Sequence, residues 1–219
     1  MNSDKRAFLK FGILSAAALA GFNQLLKVSP HHFNEAITRK LFGARQLAPV
    51  FPRERAAEPK ENGMIGLDEE IDPTTWRLQL ETPGQPNRTM TLDEIKAFPK
   101  VEMTTELMCI EGWSEIVNWG GTSLSHIIPT NAPDYLSLAT PDKTYYVGLD
   151  LESALHPQTL LVWEMNGQPL TPEHGAPLRL VIPVKYGIKN IKRIGTIAFL
   201  TQRPADYWAE RGYDWYSAL

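Results

Sequence analysis

The sequence predicts a β-rich α+β fold in a single domain. Three observations carry that prediction. Short alternating or apolar runs of strand length outnumber helical stretches. The strands do not alternate with long helices, which argues against a doubly wound parallel sheet. No internal repeat or low-complexity tract divides the body. At 219 residues, with 43% hydrophobic and 21% charged residues, the composition is that of an ordinary globular chain able to bury a core.

The net charge of -3 hides an asymmetry: residues 1–60 carry a net +6 and residues 61–219 a net -9. Residues 1–27 account for part of it. A basic start (MNSDKRAFLK) precedes an apolar run from Phe11 to Phe22, with a small-residue cleavage pattern at Ala18-Leu19-Ala20. That run is shorter than the roughly 20 residues of a membrane span. The opening resembles a twin-arginine export signal with Lys5 in place of the first arginine, so this segment is expected to direct export or to remain as an N-terminal anchor. Residues 28–61 read as a linker or strap. A helix is expected at 34–41, and His31-His32 stand without further ligands at metal-site spacing.

The body occupies 62–219. Residues 76–80 alternate as a strand and stop at Thr82-Pro83-Gly84. Thr91 and Glu94 form a capping box that opens a short helix, ended before Pro99. Residues 106–110 (ELMCI) read as strand, followed by a Glu-Gly-Trp-Ser turn, Trp119 and a Gly-Gly pair. A short helix is expected at 123–128 and another helical turn at 150–155. Strands are expected at 135–139, 144–149, 159–165, 178–184 and 196–201. Asn166-Gly167 is a tight hairpin signal.

Two segments carry the chemistry. Cys109 is the only cysteine, so an internal disulfide is excluded; it is a packed core residue, a nucleophile or a metal ligand. Trp113 and Trp119 flank it as pocket walls or core. Farther on, His174 and Arg179 bracket a strand start, and KYGIKNIKR at 185–193 places four cationic residues within nine. In an acidic body this is a phosphate cradle or a solvated loop. The net acidic body lacks a nucleic-acid footprint, and neither common nucleotide loop motif occurs.

Together, CIEGWS with its following tryptophan, LLVWEMNGQPL, and EHGAPLRLVIPVKYGIKNIKRI, in that order, resemble the sulfite oxidase family of molybdopterin enzymes, and within it the sulfoxide-reducing branch. The resemblance runs from about Asn62 to Thr201. It implies the sulfite-oxidase-type molybdopterin-binding fold and a molybdenum–molybdopterin cofactor, with Cys109 as the thiolate on the metal. Soft sulfur suits such a metal, and coordination deprotonates the thiol. By the same resemblance Asn62, Thr140, His174, Arg179, Asn190, Ile191 and Lys192 would contact the cofactor. Tyr145 would stand as an active-site tyrosine beside the metal, or merely as a strand aromatic. Ile65-Gly66 replace a tyrosine–acid pair of that branch.

The implied activity is a two-electron oxygen-atom transfer on a small substrate in the periplasm, with sulfoxide or S-/N-oxide reduction favoured over sulfite-type oxidation. Sulfite chemistry asks for several arginines, and the matched blocks offer Arg179, with Arg77 and Arg88 unplaced. With no haem motif present, a separate haem or quinone-linked membrane redox partner is implied, and a monomer is expected. Two readings from other classes stand beside it: a non-catalytic binding module, and a thiol hydrolase pairing Cys109 with His126 or His174. The aromatic tail RPADYWAERGYDWY would pack back on the body or form a docking patch.

Overall fold

The computed structural model describes Glu35, Ile37 and residues 46–219. The chain divides into two compact units, Met1–Leu41 and Phe42–Leu219, and the second carries both sheets. Glu35 and Ile37 are helical. The expected export segment and His31-His32 lie outside the described residues.

One sheet has the order β2-β1-β10-β5-β6. Its strands are β1 (Leu78–Glu81), β2 (Arg88–Met90), β5 (Tyr135–Ala139), β6 (Tyr146–Asp150) and β10 (Thr196–Leu200). Only β1 and β10 pair in parallel. The second sheet runs β3-β4-β7-β8, with β9 also paired to β7. It comprises β3 (Val101–Met108), β4 (Ser114–Ser123), β7 (Leu160–Met165), β8 (Gln168–Pro169) and β9 (Arg179–Val181). Within residues 46–219, two short helices, α1 (Leu92–Lys96) and α2 (Leu151–Ala154), complete the regular elements along with several single 3-10 turns.

Local sequence explains most of these boundaries. The Thr91–Glu94 capping box is reciprocal, each side chain bonding the other's backbone, and it starts α1. Asn166 and Gly167 both have positive φ (52° and 78°), the geometry that folds β7 onto β8. The expected helix at 123–128 is a 3-10 turn, Leu124–Ile127, capped by Ser123. Strand β4 is the element the sequence conceals. No strand is expected around Gly120-Gly121, yet both glycines lie in the β4–β7 ladder, with a bulge between them. A Cβ on Gly121 would come within 2.1 Å of the Leu161 carbonyl oxygen, so only glycine lets the two backbones approach.

β7 is buried on both faces, and alternation sends its residues into two cores. Leu161 and Trp163 join Leu136, Leu138, Leu149 and Ile197 in the larger one. Leu160 and Val162 join Met103, Val117, Trp119 and Val181 in the smaller. The edge of β3 is covered by the strap: Val50 bridges Thr105, and Phe51 N donates to the Thr104 carbonyl (2.9 Å). That covering brings Pro59 and Lys60 to the place where β3 ends.

Candidate active site

The period of a strand decides which side chains meet. On β3 and β4, Met103 opposes Trp119 and Leu107 opposes Glu115, so Leu107 and Trp119 share a face. Cys109 follows Leu107 by two residues, just past the strand end. Arg179 starts β9 on the same face as Val181, and its guanidinium lies over the Trp119 ring at 4.9 Å. Leu107, Cys109, Trp119 and Arg179 all line one cavity of about 380 Å³.

At its thiol end, Cys109 N donates to the Trp113 carbonyl (2.9 Å) and Gly112 N to the Cys109 carbonyl (3.1 Å), closing the β3–β4 turn. Asn62 Nδ2 donates toward Cys109 Sγ (4.0 Å) and to Glu111 Oε2 (3.2 Å). Trp113 Nε1 donates to the same carboxylate oxygen (3.0 Å), and the thiol faces it at 3.8 Å. The Trp113 hydrogen bond holds the Glu111 carboxyl below its usual range, while burial first and the Glu111 charge next push the Cys109 thiol up. Gly187 packs alongside: a Cβ there would stand 3.3 Å from the Met108 carbonyl oxygen and 3.8 Å from Cys109 Cα.

At the cationic end, Arg179 is buried, with Nη1 donating to the His174 carbonyl (3.1 Å) and Nη2 to the Asn190 carbonyl (3.3 Å). Burial brings its pKa down to about 10. His174 exchanges a hydrogen bond between Nδ1 and Thr171 Oγ1 (2.8 Å). Burial, then Lys192 and Arg179, depress its pKa, with Pro59 and Glu61 opposing weakly. Lys192 Nζ donates to the carbonyls of Asn62, Gly63 and Glu173, and burial first, then Arg179, pulls its pKa to about 8. Gly175 makes this cluster possible. Its φ is 97°, and a Cβ would fall 2.7 Å from Lys192 Cβ.

Several sequence expectations are redrawn. Asn62, Cys109, Tyr145, His174, Arg179, Asn190 and Lys192 meet at the cavity; Thr140 and Ile191 are not among its lining residues. Thr140 is fully buried, its hydroxyl committed to Asp142 and the Tyr145 backbone, and its methyl end fills the space beside Gly66. Ile191 belongs to the larger core. The basic run 185–193 is neither a solvated loop nor a four-cation cradle, because the 3-10 turn Gly187–Lys189 sends its side chains different ways. Lys185 donates to the Tyr216 carbonyl, Lys189 pairs with Asp206, and Arg193 serves the carbonyls of Leu67, Glu69 and Ala176. Lys192 alone of the four lines the cavity. Tyr145 donates its hydroxyl to the Ile188 carbonyl (2.5 Å), and burial, then Asp206, pushes its pKa well above the ordinary tyrosine value. It is held protonated as a brace for the 187–190 loop. His126 bonds Thr122 and stacks on Phe98, away from the thiol's cavity. Trp208 and Tyr213 of the tail do line it; the tail's aromatic density was the only signal for them.

The comparisons with known proteins agree with this geometry. Residues 65–208 match the family described as the oxidoreductase molybdopterin binding domain. The chain belongs to that family. It is a molybdopterin-dependent oxidoreductase of the sulfite-oxidase type. A provisionally named protein-methionine-sulfoxide reductase subunit of Azospira oryzae is 35% identical over 191 residues, covering 84% of this chain and 72% of that protein. The protein-methionine-sulfoxide reductase catalytic subunit of Campylobacter jejuni is 29% identical over 233 residues, 95% of this chain and 77% of that one. The sulfane dehydrogenase SoxCD from Paracoccus pantotrophus shares the fold, with a TM-score of 0.57 at 18% identity over 73% of this chain. This chain spans only 46% of that larger one.

The cavity fits a molybdenum–pterin group on its own chemistry. His174 Nε2, Arg179 Nε and Trp119 Nε1 are buried without a hydrogen-bond partner, and all three residues line it. Each orphaned polar atom costs about 1–3 kcal/mol, and an anionic or acceptor-rich ligand would relieve the Arg179 and Trp119 donors. A thiol stands at the other end. Among the described residues no cluster of three or more His, Cys, Asp or Glu could hold a bare ion, so a metal at Cys109 needs ligands from an organic partner.

Proposed function

We propose that the chain is the catalytic subunit of an exported sulfoxide reductase, converting an organic sulfoxide, two electrons and two protons to the thioether and one water. The observation that carries this reading is the division of the cavity. Its one arginine sits with His174, while the thiol end is walled by Trp113, with Lys60 Nζ over that ring at 5.0 Å. Among the described residues lining it, Arg179 is the only arginine, and its forks are spent on the His174 and Asn190 carbonyls. Arg77 bonds the Thr74 and Trp76 carbonyls, and neither it nor Arg88 lines the cavity. An oxyanion substrate such as sulfite would therefore meet no arginine cluster beside the thiol.

Cys109 would ligate the molybdenum. His174, Arg179 and Lys192 would hold the pterin and its phosphate, with Asn190 contributing backbone. When bound, the group supplies a metal that exchanges an oxygen atom for two electrons. The chain's own residues do the rest. Asn62 holds the thiol side against Glu111. Glu111 is ionised at neutral pH, so its Oε2 relays protons from solvent instead of storing one. Trp113 screens the sulfur from water, Trp119 packs under Arg179, and Tyr145 fixes the Ile188 carbonyl beside the Cys109 turn.

Electrons would come from a separate haem or quinone-linked membrane protein; the naming of the Campylobacter relative as a catalytic subunit supports a partner. The basic and apolar segment at 1–27 supports periplasmic export. A reduced-viologen assay on the molybdenum-loaded protein tests the substrate. Faster turnover of sulfoxides than of N-oxides is expected, and sulfite oxidation without sulfoxide reduction would overturn the reading.

A further inference from the structure

We propose that residues 206–213 of the tail form the substrate-facing wall of the cavity, with Trp208 and Tyr213 as specificity-determining residues and Asp206 as the residue that positions them. The proposal rests on the sulfoxide reading above and extends it to a segment that the motif blocks do not reach.

The wall is built, not draped. Asp206 is buried, and its carboxylate is fully used: Oδ1 accepts from the backbone of Trp208 (3.2 Å) and Ala209 (3.1 Å), Oδ2 from Gly148 N (3.0 Å) and Lys189 Nζ (2.5 Å). Lys189 is itself buried in the loop that passes Cys109, so the pair ties the tail to that loop. Tyr213 N donates to the Trp208 carbonyl (3.0 Å), which folds the two rings edge to face at 5.2 Å. Trp208 meets Tyr207 at 5.4 Å, and Tyr207 meets Tyr145 at 5.2 Å. Tyr145 in turn bonds Ile188 beside the thiol turn. The chain of rings therefore ties the wall to the loop whose Gly187 packs against Met108 and Cys109. Tyr213 is 42% exposed while still lining the cavity, which puts it at the mouth. Rings at that place suit an uncharged sulfur substituent, through apolar contact and sulfur–aromatic attraction.

The test uses the molybdenum-loaded full chain, reduced dye, and two substrates: a methionine sulfoxide within a short peptide, and dimethyl sulfoxide. Tyr213→Ala and Trp208→Ala should raise KM for the peptide about tenfold, with kcat and the KM for dimethyl sulfoxide changed less than about threefold. Tyr213→Phe and Trp208→Phe should restore the peptide KM, and Asp206→Asn should raise it while speeding amide exchange over 206–213. Molybdenum and pterin content should stay at the wild-type level in all of them. Tyr213 is exposed enough that its truncation leaves the fold intact, so that variant decides the matter if Asp206→Asn does not fold. Hydrogen exchange over 206–213, with and without the peptide, gives an answer independent of turnover. Protection that Tyr213→Ala abolishes supports the wall, and protection without turnover removes the sulfoxide reading alone. A tail unaffected by the peptide, an unchanged KM ratio, or loss of pterin in the tail variants would overturn the proposal.

Discussion

On the proposed reading, Cys109 and its two polar neighbours, Asn62 and Glu111, set the chemistry residue by residue. Cys109→Ser should keep pterin but lose molybdenum-dependent turnover, read by metal analysis, pterin fluorescence and dye oxidation; unchanged turnover would remove the sulfur from the metal. Glu111→Gln should lower kcat by about tenfold or more at unchanged cofactor content, since a positioned carboxylate relay contributes at least that much. Lys192 yields a pH dependence. Burial has lowered its pKa to about 8, so its positive charge is present below that value and lost as the pH rises through it. Cofactor uptake by the apoprotein should therefore weaken above about pH 8. In Lys192→Met, uptake should be weaker throughout and flat across the same window, as measured by molybdenum incorporation. Cys109, His174, Arg179, Asn190 and Lys192 come from the motif blocks, whose spacing the fold gathers around one cavity. The fate of Lys185, Lys189 and Arg193 was not, because a single 3-10 turn decides which of four neighbouring cations faces the cavity.

Elements bring those residues together, and glycines mark where they touch. Strands with clear alternation, the capping box and the Asn-Gly hairpin could be read from sequence, since each rests on local rules. β4 could not, because its Gly-Gly pair is there for a long-range approach to β7 that local patterning does not reveal. Gly175 is the same kind of residue at the site. Gly175→Ala would strain a left-handed backbone and drive a Cβ into Lys192, at a cost of about 1–3 kcal/mol. Chemical denaturation of the apoprotein should show that loss, and molybdenum content should fall with it because His174 and Lys192 move apart. A neutral effect on both would contradict the packing described for this turn.

Across the whole described unit, one buried pair fastens the end of the chain to the sheet and to the site. Lys189 and Asp206 are separated by 17 positions, both almost fully buried. Removing one partner leaves the other charge stranded, so Lys189→Met should cost about 3–5 kcal/mol. Lys189→Met combined with Asp206→Leu should recover much of that in a urea titration, since apolar replacement of a whole buried pair is often neutral. The tail's packing was foreseeable from its aromatics, but its part in the cavity wall was not, because Trp208 and Tyr213 follow no motif and are set in place by long-range contacts through Asp206, Lys189 and Tyr207.

On the proposed reading, one cavity would hold a metal at Cys109 and an anionic pterin at His174, Arg179 and Lys192. Its most direct test is the molybdenum and pterin content of the protein purified from a cofactor-competent host, wild type beside Arg179→Met. The account predicts one molybdenum and one pterin per chain in the wild type, with both lost together in the variant. Wild-type protein that folds but carries neither would contradict it.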